Sequence, residues 1–144
     1  MLLAAALMWV LHHWLPLAQL IGTPWNYLGL LPFVAARVIS VAAGTRFRQA
    51  RTSFDAFNPR EASTLVTDGV FRISRNPMYL GLVLVLIGWA IWLGTASPWL
   101  VVPLFAILMT VAQIVPEEAA LEERFGEAYL AYRRSVGRWI GRRG

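Results

Sequence analysis

The chain contains no cysteine, which excludes a disulfide framework, a thiol nucleophile and Cys-ligated metal. It has two histidines, His12 and His13, adjacent in an apolar stretch with no charged residue nearby. Adjacent positions do not share a helix face, so the pair reads as packing or a helix–helix hydrogen bond, and no metal is expected. Charge is also scarce: 15% of residues are charged and 58% are apolar, where soluble domains average about 45–50% apolar. No Asp, Glu, Lys or Arg occurs from Met1 to Ala36 or from Pro77 to Pro116. A hydrocarbon core about 30 Å thick needs about 20 apolar residues per helix. The second uncharged block is long enough for two spans joined by a tight turn, and longer than a buried soluble helix requires. No basic segment precedes Leu2 and no small-residue cleavage site follows, so the first apolar run reads as a retained span.

These absences predict an all-α integral membrane helical bundle, a single domain over 1–144, with about four transmembrane helices and a C-terminal amphipathic cytoplasmic helix. The spans are expected at about 2–21, 25–44, 77–93 and 99–115, with a polar loop at 45–76 and a tail helix at 117–136. Pro16 is expected to kink the first span near one end. Apart from Arg37, every arginine lies in the 45–76 loop or in the tail, and both turns on the opposite side are uncharged. Positive charge follows the cytoplasmic side. A multi-pass protein of a bacterial-type inner membrane is therefore expected, with both termini cytoplasmic. The formal net charge of +5 is explained by topology and anionic headgroups, and no nucleic-acid partner is expected.

Arg37 stands about two turns inside the second span. It either snorkels to the interface or lines a cavity. At the third span, Ser74-Arg75-Asn76-Pro77 puts Asn at an N-cap position and Pro at the first helical position. The free N–H groups of such a start favour an anion, with Arg75 beside it. Gly81 and Gly88 share a face and permit close approach. At the end of the fourth span, Pro116 is expected to interrupt the helix, with Glu117 and Glu118 opening a new one. Leu121, Phe125, Ala128, Tyr129, Tyr132 and Val136 recur on that helix at helical spacing. In an antiparallel hairpin, Asn76 and Glu117 come to the same side. The expected ligand carries both a carboxylate and a positive centre.

The run Asp68-Gly69-Val70-Phe71-Arg72-Ile73-Ser74-Arg75-Asn76-Pro77-Met78-Tyr79-Leu80-Gly81, then Glu117-Glu118, then Phe125-Gly126-Glu127-Ala128-Tyr129-Leu130-Ala131-Tyr132, resembles a superfamily of integral membrane methyltransferases. That superfamily includes the isoprenylcysteine carboxyl methyltransferases and the phospholipid N-methyltransferases. The likeness covers about half of the chain, roughly from Thr67 to Val136. Asn76 matches the phospholipid branch, and the Phe-Gly-x-x-Tyr-x-x-Tyr segment leans to the isoprenylcysteine branch.

The resemblance implies that S-adenosylmethionine binds at the cytoplasmic helix ends through Arg75, Asn76, Pro77, Tyr79, Gly81, Glu117 and Glu118. It also implies a lipophilic small-molecule or lipidated acceptor entering from the bilayer, with Glu118 and Arg75 as catalytic candidates. Arg37, Arg72, Tyr129 and Tyr132 are the candidates for holding that acceptor. A carboxylate acceptor needs no general base, whereas an amine must lose a proton, for which Glu118 is a candidate. Some membrane sterol and steroid reductases, which use a nicotinamide cofactor, end in a similar segment. The short chain, Asn76 in place of His and the adjacent Glu117-Glu118 set this sequence apart from them. A non-enzymatic membrane scaffold of the same fold is the third reading, since each motif also has a purely structural explanation. The sequence leaves the oligomeric state open.

Overall fold

The computed structural model describes residues 1–50 and 64–141. Arg51 and Arg60 of the polar loop, and Arg142 and Arg143 of the tail, lie outside the described residues. The chain folds as helix at α1 (Leu2–Trp14), α2 (Leu30–Gln49), α3 (Pro77–Leu93), α4 (Val101–Met109), α5 (Val115–Phe125) and α6 (Glu127–Ser135), of which α1, α3 and α4 come from the uncharged runs. Short 3₁₀ turns cover Trp25–Gly29, Gly69–Arg72 and Ser97–Leu100. The extended pairing found among the described residues is an isolated bridge between Gln19 and Thr95.

Two helical stretches are long and apolar enough to cross a bilayer. They are Trp25–Gln49, with mean hydropathy 1.7, and Ser97–Phe125, with 2.1. A core helix of a soluble protein can be as apolar but is then mostly buried. Here only 17% and 28% of an 18-residue apolar segment of each is buried, so most of those side chains face outward, as a lipid solvent requires. Helices α1 and α3 are apolar but shorter. Among the described residues the protein is all-helical, with two helices long and apolar enough to cross a membrane.

Three expectations are corrected. The first helix ends at Trp14 rather than near Ile21. Leu15 precedes Pro16, whose ring disfavours helical backbone at the preceding residue, and Leu15 turns out at φ −144°. The following residues form an extended segment instead: Leu20 and Ile21 both donate to the Gly94 carbonyl (2.8 and 3.0 Å), and Ala96 donates to that of Ala18 (2.9 Å). The second correction concerns Pro116, which does not interrupt the helix. A π-helical turn, Thr110–Ile114, joins α4 to α5, and Val115 bonds back to Thr110 across the widened turn. That widening accommodates a residue with no N–H and a bulky ring. Glu117 and Glu118 therefore sit inside a continuous helical rod, not at a fresh helix start. The break comes later, at Gly126, whose backbone (φ 50°, ψ −126°) only glycine adopts without strain, so the expected 117–136 helix is two helices, α5 and α6.

The chain forms two compact units: Met1–Arg37 with Gly81–Leu108, and Val38–Leu80 with Met109–Gly144. In the first, α1 is tied down by polar side chains. His12 Nδ1 meets Thr95 Oγ1 at 2.9 Å, Trp89 donates to the Ala5 carbonyl at 3.2 Å, and Ser97 to that of Leu11 at 3.1 Å. Such bonds hold helices together where no hydrophobic force separates side chain from lipid. Gly29 and Gly88 touch backbone to backbone: a Cβ on Gly29 would stand 2.5 Å from the Gly88 carbonyl oxygen. The second unit is built on a cluster of Ala43, Phe71, Tyr129, Tyr132 and Val136, joined by Phe47, Leu121 and Phe125.

Candidate functional site

The second unit assembles its polar centre from three segments: the run 74–79, helix α5, and a stretch after α6. That last stretch closes on the first like a clasp. Arg75 donates its backbone N–H to Gly137 (3.1 Å), and Gly141 donates to Ile73 (2.9 Å). Gly141 adopts φ 109°, open to glycine and strained for other residues. The Ser74 hydroxyl accepts the Asn76 N–H at 3.0 Å and donates to the Arg138 carbonyl at 3.4 Å.

Pro77 opens α3 as the sequence predicts, and the Asn76 carbonyl accepts the Leu80 N–H at 3.0 Å. The Asn76 side-chain amide turns elsewhere. Its nitrogen donates to Glu118 Oε1 (3.2 Å) and to the Arg138 carbonyl (3.2 Å). Arg75 is deeply buried, its side chain 3% exposed, and its Nη1 lies 3.2 Å from Glu118 Oε1. The same nitrogen donates to the Tyr129 hydroxyl at 3.1 Å. Arg75 Nε is buried with no partner among the described residues.

Glu118 is the hub. Besides Arg75 and Asn76, it takes a forked pair from Arg138: Nε donates to both carboxylate oxygens (3.2 Å each) and Nη2 to Oε2 (2.8 Å). Bidentate charge-assisted bonds of this kind are strong and fix orientation. The carboxylate hydrogen-bonded to its guanidinium raises the Arg138 pKa. Glu117, the neighbour, is half-buried and accepts one bond, from the Tyr79 hydroxyl at 3.1 Å. Burial pushes the Tyr129 hydroxyl up to about 12, with Glu118 adding to the rise and Arg75 opposing it. Burial likewise raises Tyr132, whose hydroxyl donates to the Phe71 carbonyl at 2.7 Å.

Of the residues singled out from sequence, Arg75, Asn76, Glu118 and Tyr129 meet in one buried network, with Pro77 at its helix start, and Tyr79 and Glu117 form a separate, part-buried pair beside it in the chain. Tyr132 braces the turn Gly69–Arg72 from α6. Arg72 is exposed and lines a cavity of about 400 Å³ on the same unit. Gly81 (buried) and Arg37 (exposed) belong to the first unit. Sequence reasoning missed Arg138. In the sequence it is one of several tail arginines, and the flanking Gly137 and Gly141 are the signal that the chain turns back there. The arrangement holds a carboxylate rigidly between two guanidiniums, out of water, and leaves a second, less encumbered carboxylate one residue away.

A family model described as phospholipid methyltransferase matches residues 25–128. The chain is similar to protein-S-isoprenylcysteine O-methyltransferase A of Arabidopsis thaliana, with 32% identity over 115 residues. That match covers 75% of this chain, which spans 55% of the length of the plant protein. It is also 43% identical over 63 residues to an uncharacterized protein of Haemophilus influenzae, covering 44% of this chain and all of that one. No solved structure matches. The family match spans well over half of the chain and takes in the whole 74–79 run and the Glu117-Glu118 pair, and on it the chain belongs to the phospholipid methyltransferase family, the isoprenylcysteine and phospholipid methyltransferase-like group of membrane methyltransferases.

Proposed function

We propose that this protein transfers a methyl group from S-adenosylmethionine to a lipophilic acceptor, a carboxylate or an amine, at the cytoplasmic face of a membrane that it crosses about four times as a single domain. The observation that carries the reading is that the 75–79 run and the Glu117-Glu118 pair, far apart in sequence, meet twice: Arg75 and Asn76 on the buried Glu118, and Tyr79 on the half-buried Glu117. The residues fit the cofactor. The buried Arg75 Nε, without a partner among the described residues, is a donor that a ligand carboxylate would satisfy, since an orphaned buried donor costs about 1–3 kcal/mol. Glu117 and Tyr79 offer an anion and a hydroxyl for an ammonium or ribose group. When bound, S-adenosylmethionine supplies a methyl group activated by a sulfonium.

Glu118 acts as a positioning residue. Its carboxylate already receives hydrogen bonds from Asn76 and Arg138 and pairs with Arg75, so it holds Arg75 in place. Glu117 is the better proton acceptor if the substrate is an amine. With a carboxylate acceptor no base is needed, and the residues contribute by orientation, which in well-aligned systems is worth about 7–11 kcal/mol of barrier. The test is thermal stability of the detergent-purified protein titrated with S-adenosylmethionine and, separately, with NADPH. The expected result is saturable stabilisation by the former. Stabilisation by NADPH alone would indicate a reductase, and a response to neither would indicate a scaffold. A screen of lipid extracts with labelled methyl donor then identifies the acceptor.

A further inference from the structure

The cavity of about 400 Å³ on the second unit shares no residue with the buried centre around Glu118. Its size lies within the roughly 300–1,000 Å³ of small-ligand sites. Helix α6 forms its floor with Ala128, Ala131, Tyr132 and Ser135, all on one helix face, and Thr67, Arg72 and Val136 complete the lining. Tyr132 of the cavity and Tyr129 of the Glu118 centre are buried neighbours, their ring centroids 6.3 Å apart.

The charge balance there is uneven. The two adjacent arginines of α6 are compensated, Arg133 by Glu122 at 2.9 Å and Arg134 by Glu127 at 3.6 Å. Asp68, beside Thr67, is neutralised by Arg46 at 2.8 Å. Arg72 has no carboxylate or other hydrogen-bond partner among the described residues. Its backbone is nevertheless held firmly: the 3₁₀ turn Gly69–Arg72 is pinned by the Tyr132 hydroxyl on Phe71 and packs Phe71 edge-on against Phe47. The Ser135 hydroxyl already donates to the Tyr132 carbonyl, so the free donors at the cavity are the Arg72 guanidinium and the Thr67 hydroxyl. A planar fork of N–H donors at a cavity lined otherwise by small and aromatic side chains matches a phosphate oxyanion attached to a less polar stem.

We propose that this cavity is a second binding site, separate from the reacting centre, that takes the phosphate of an anionic phospholipid headgroup and so anchors α6 and the 67–72 turn to the membrane surface. It rests on the membrane reading of the chain and not on the identity of the methyl acceptor. A headgroup reaches it from the bilayer, where anionic lipids attract basic segments.

The test uses the full-length protein in detergent micelles, titrated with short-chain phosphatidylglycerol, short-chain phosphatidylcholine and inorganic phosphate, with thermal stability as readout. Wild type is expected to be stabilised by phosphatidylglycerol at least about tenfold more tightly than by phosphatidylcholine or by phosphate alone. Arg72→Gln, which removes the charge, and Ala131→Leu, which fills the floor, are each expected to weaken phosphatidylglycerol binding by about tenfold or more, while S-adenosylmethionine still stabilises both. A tenfold loss corresponds to about 1.4 kcal/mol. Unchanged phosphatidylglycerol affinity in both variants overturns the proposal, as does equal affinity for inorganic phosphate, which would make this a free-phosphate site. Loss of the S-adenosylmethionine response in both variants overturns the separateness of the two sites. If wild type responds to phosphatidylglycerol but never to S-adenosylmethionine, the methyl-transfer reading fails and this one stands.

Discussion

Removing the charge of Glu118 is the perturbation whose outcome follows most directly from the geometry. Its side chain is 7% exposed and lies against Arg75, itself 3% exposed, and against Arg138, 33% exposed. Taking away one partner of a buried ion pair costs about 3–5 kcal/mol, because the other charge is left uncompensated out of water. Arg138 can turn toward solvent, but Arg75 cannot, and its remaining partner is the Tyr129 hydroxyl. Glu118→Ala should therefore lose about 3–5 kcal/mol. Glu118→Gln should fall at or below the low end, since its carbonyl still accepts from Asn76 and Arg138. Arg75→Met should also destabilise, and the double variant Arg75→Met/Glu118→Gln should lose less than the sum of the singles by about 0.5–3 kcal/mol, the range for residues in contact. Urea unfolding in detergent, followed by tryptophan fluorescence, measures each corner of this cycle. Additive losses, or a Glu118→Ala variant as stable as wild type, would refute the hub role. The cycle also matters for interpreting function. A Glu118 variant that no longer binds cofactor is informative only once its folded fraction is known.

Further outcomes are specific. Tyr132→Phe should cost about 1–3 kcal/mol, the penalty for stranding the buried Phe71 carbonyl, read by the same unfolding assay. Gly88→Ala should destabilise by about 1–3 kcal/mol, because the added methyl meets the Gly29 carbonyl and backbones cannot repack; thermal melting of the variant checks it. Alkaline pH should weaken the second unit. The Tyr129 hydroxyl titrates near about 12 in the folded chain, against about 10 when unfolded, so its contribution is intact below pH 10 and lost as pH rises through 12. A stability profile flat from about pH 9 to 12, or one in which Tyr129→Phe does not flatten the loss, would contradict this.

Much of the plan is legible in the sequence. The uncharged runs declare helices in an apolar solvent, because a backbone in lipid must satisfy its own hydrogen bonds and side chains there must be uncharged. Pro77 marks the start of α3 for a local steric reason, and the spacing of Leu121, Phe125, Tyr129, Tyr132 and Val136 foretells the cluster they form. The motif residues 75, 76, 117 and 118 were also recognisable as a set. What sequence could not decide was who pairs with whom. Pro116 looks like a helix stop, but a π-helical turn absorbs it, so the two glutamates lie in mid-helix, and the buried one, Glu118, is compensated by Arg75 and Arg138 rather than by a helix dipole. Asn76 looked like a cap, yet its amide reaches Glu118, 42 positions away. Arg138 looked like one more charge setting topology, and became the strongest partner of Glu118 only because Gly137 and Gly141 let the chain close on residues 73–75. Periodicity and composition are local quantities and are written in the sequence; the partner of a buried charge depends on segments that only the folded chain brings within hydrogen-bonding distance.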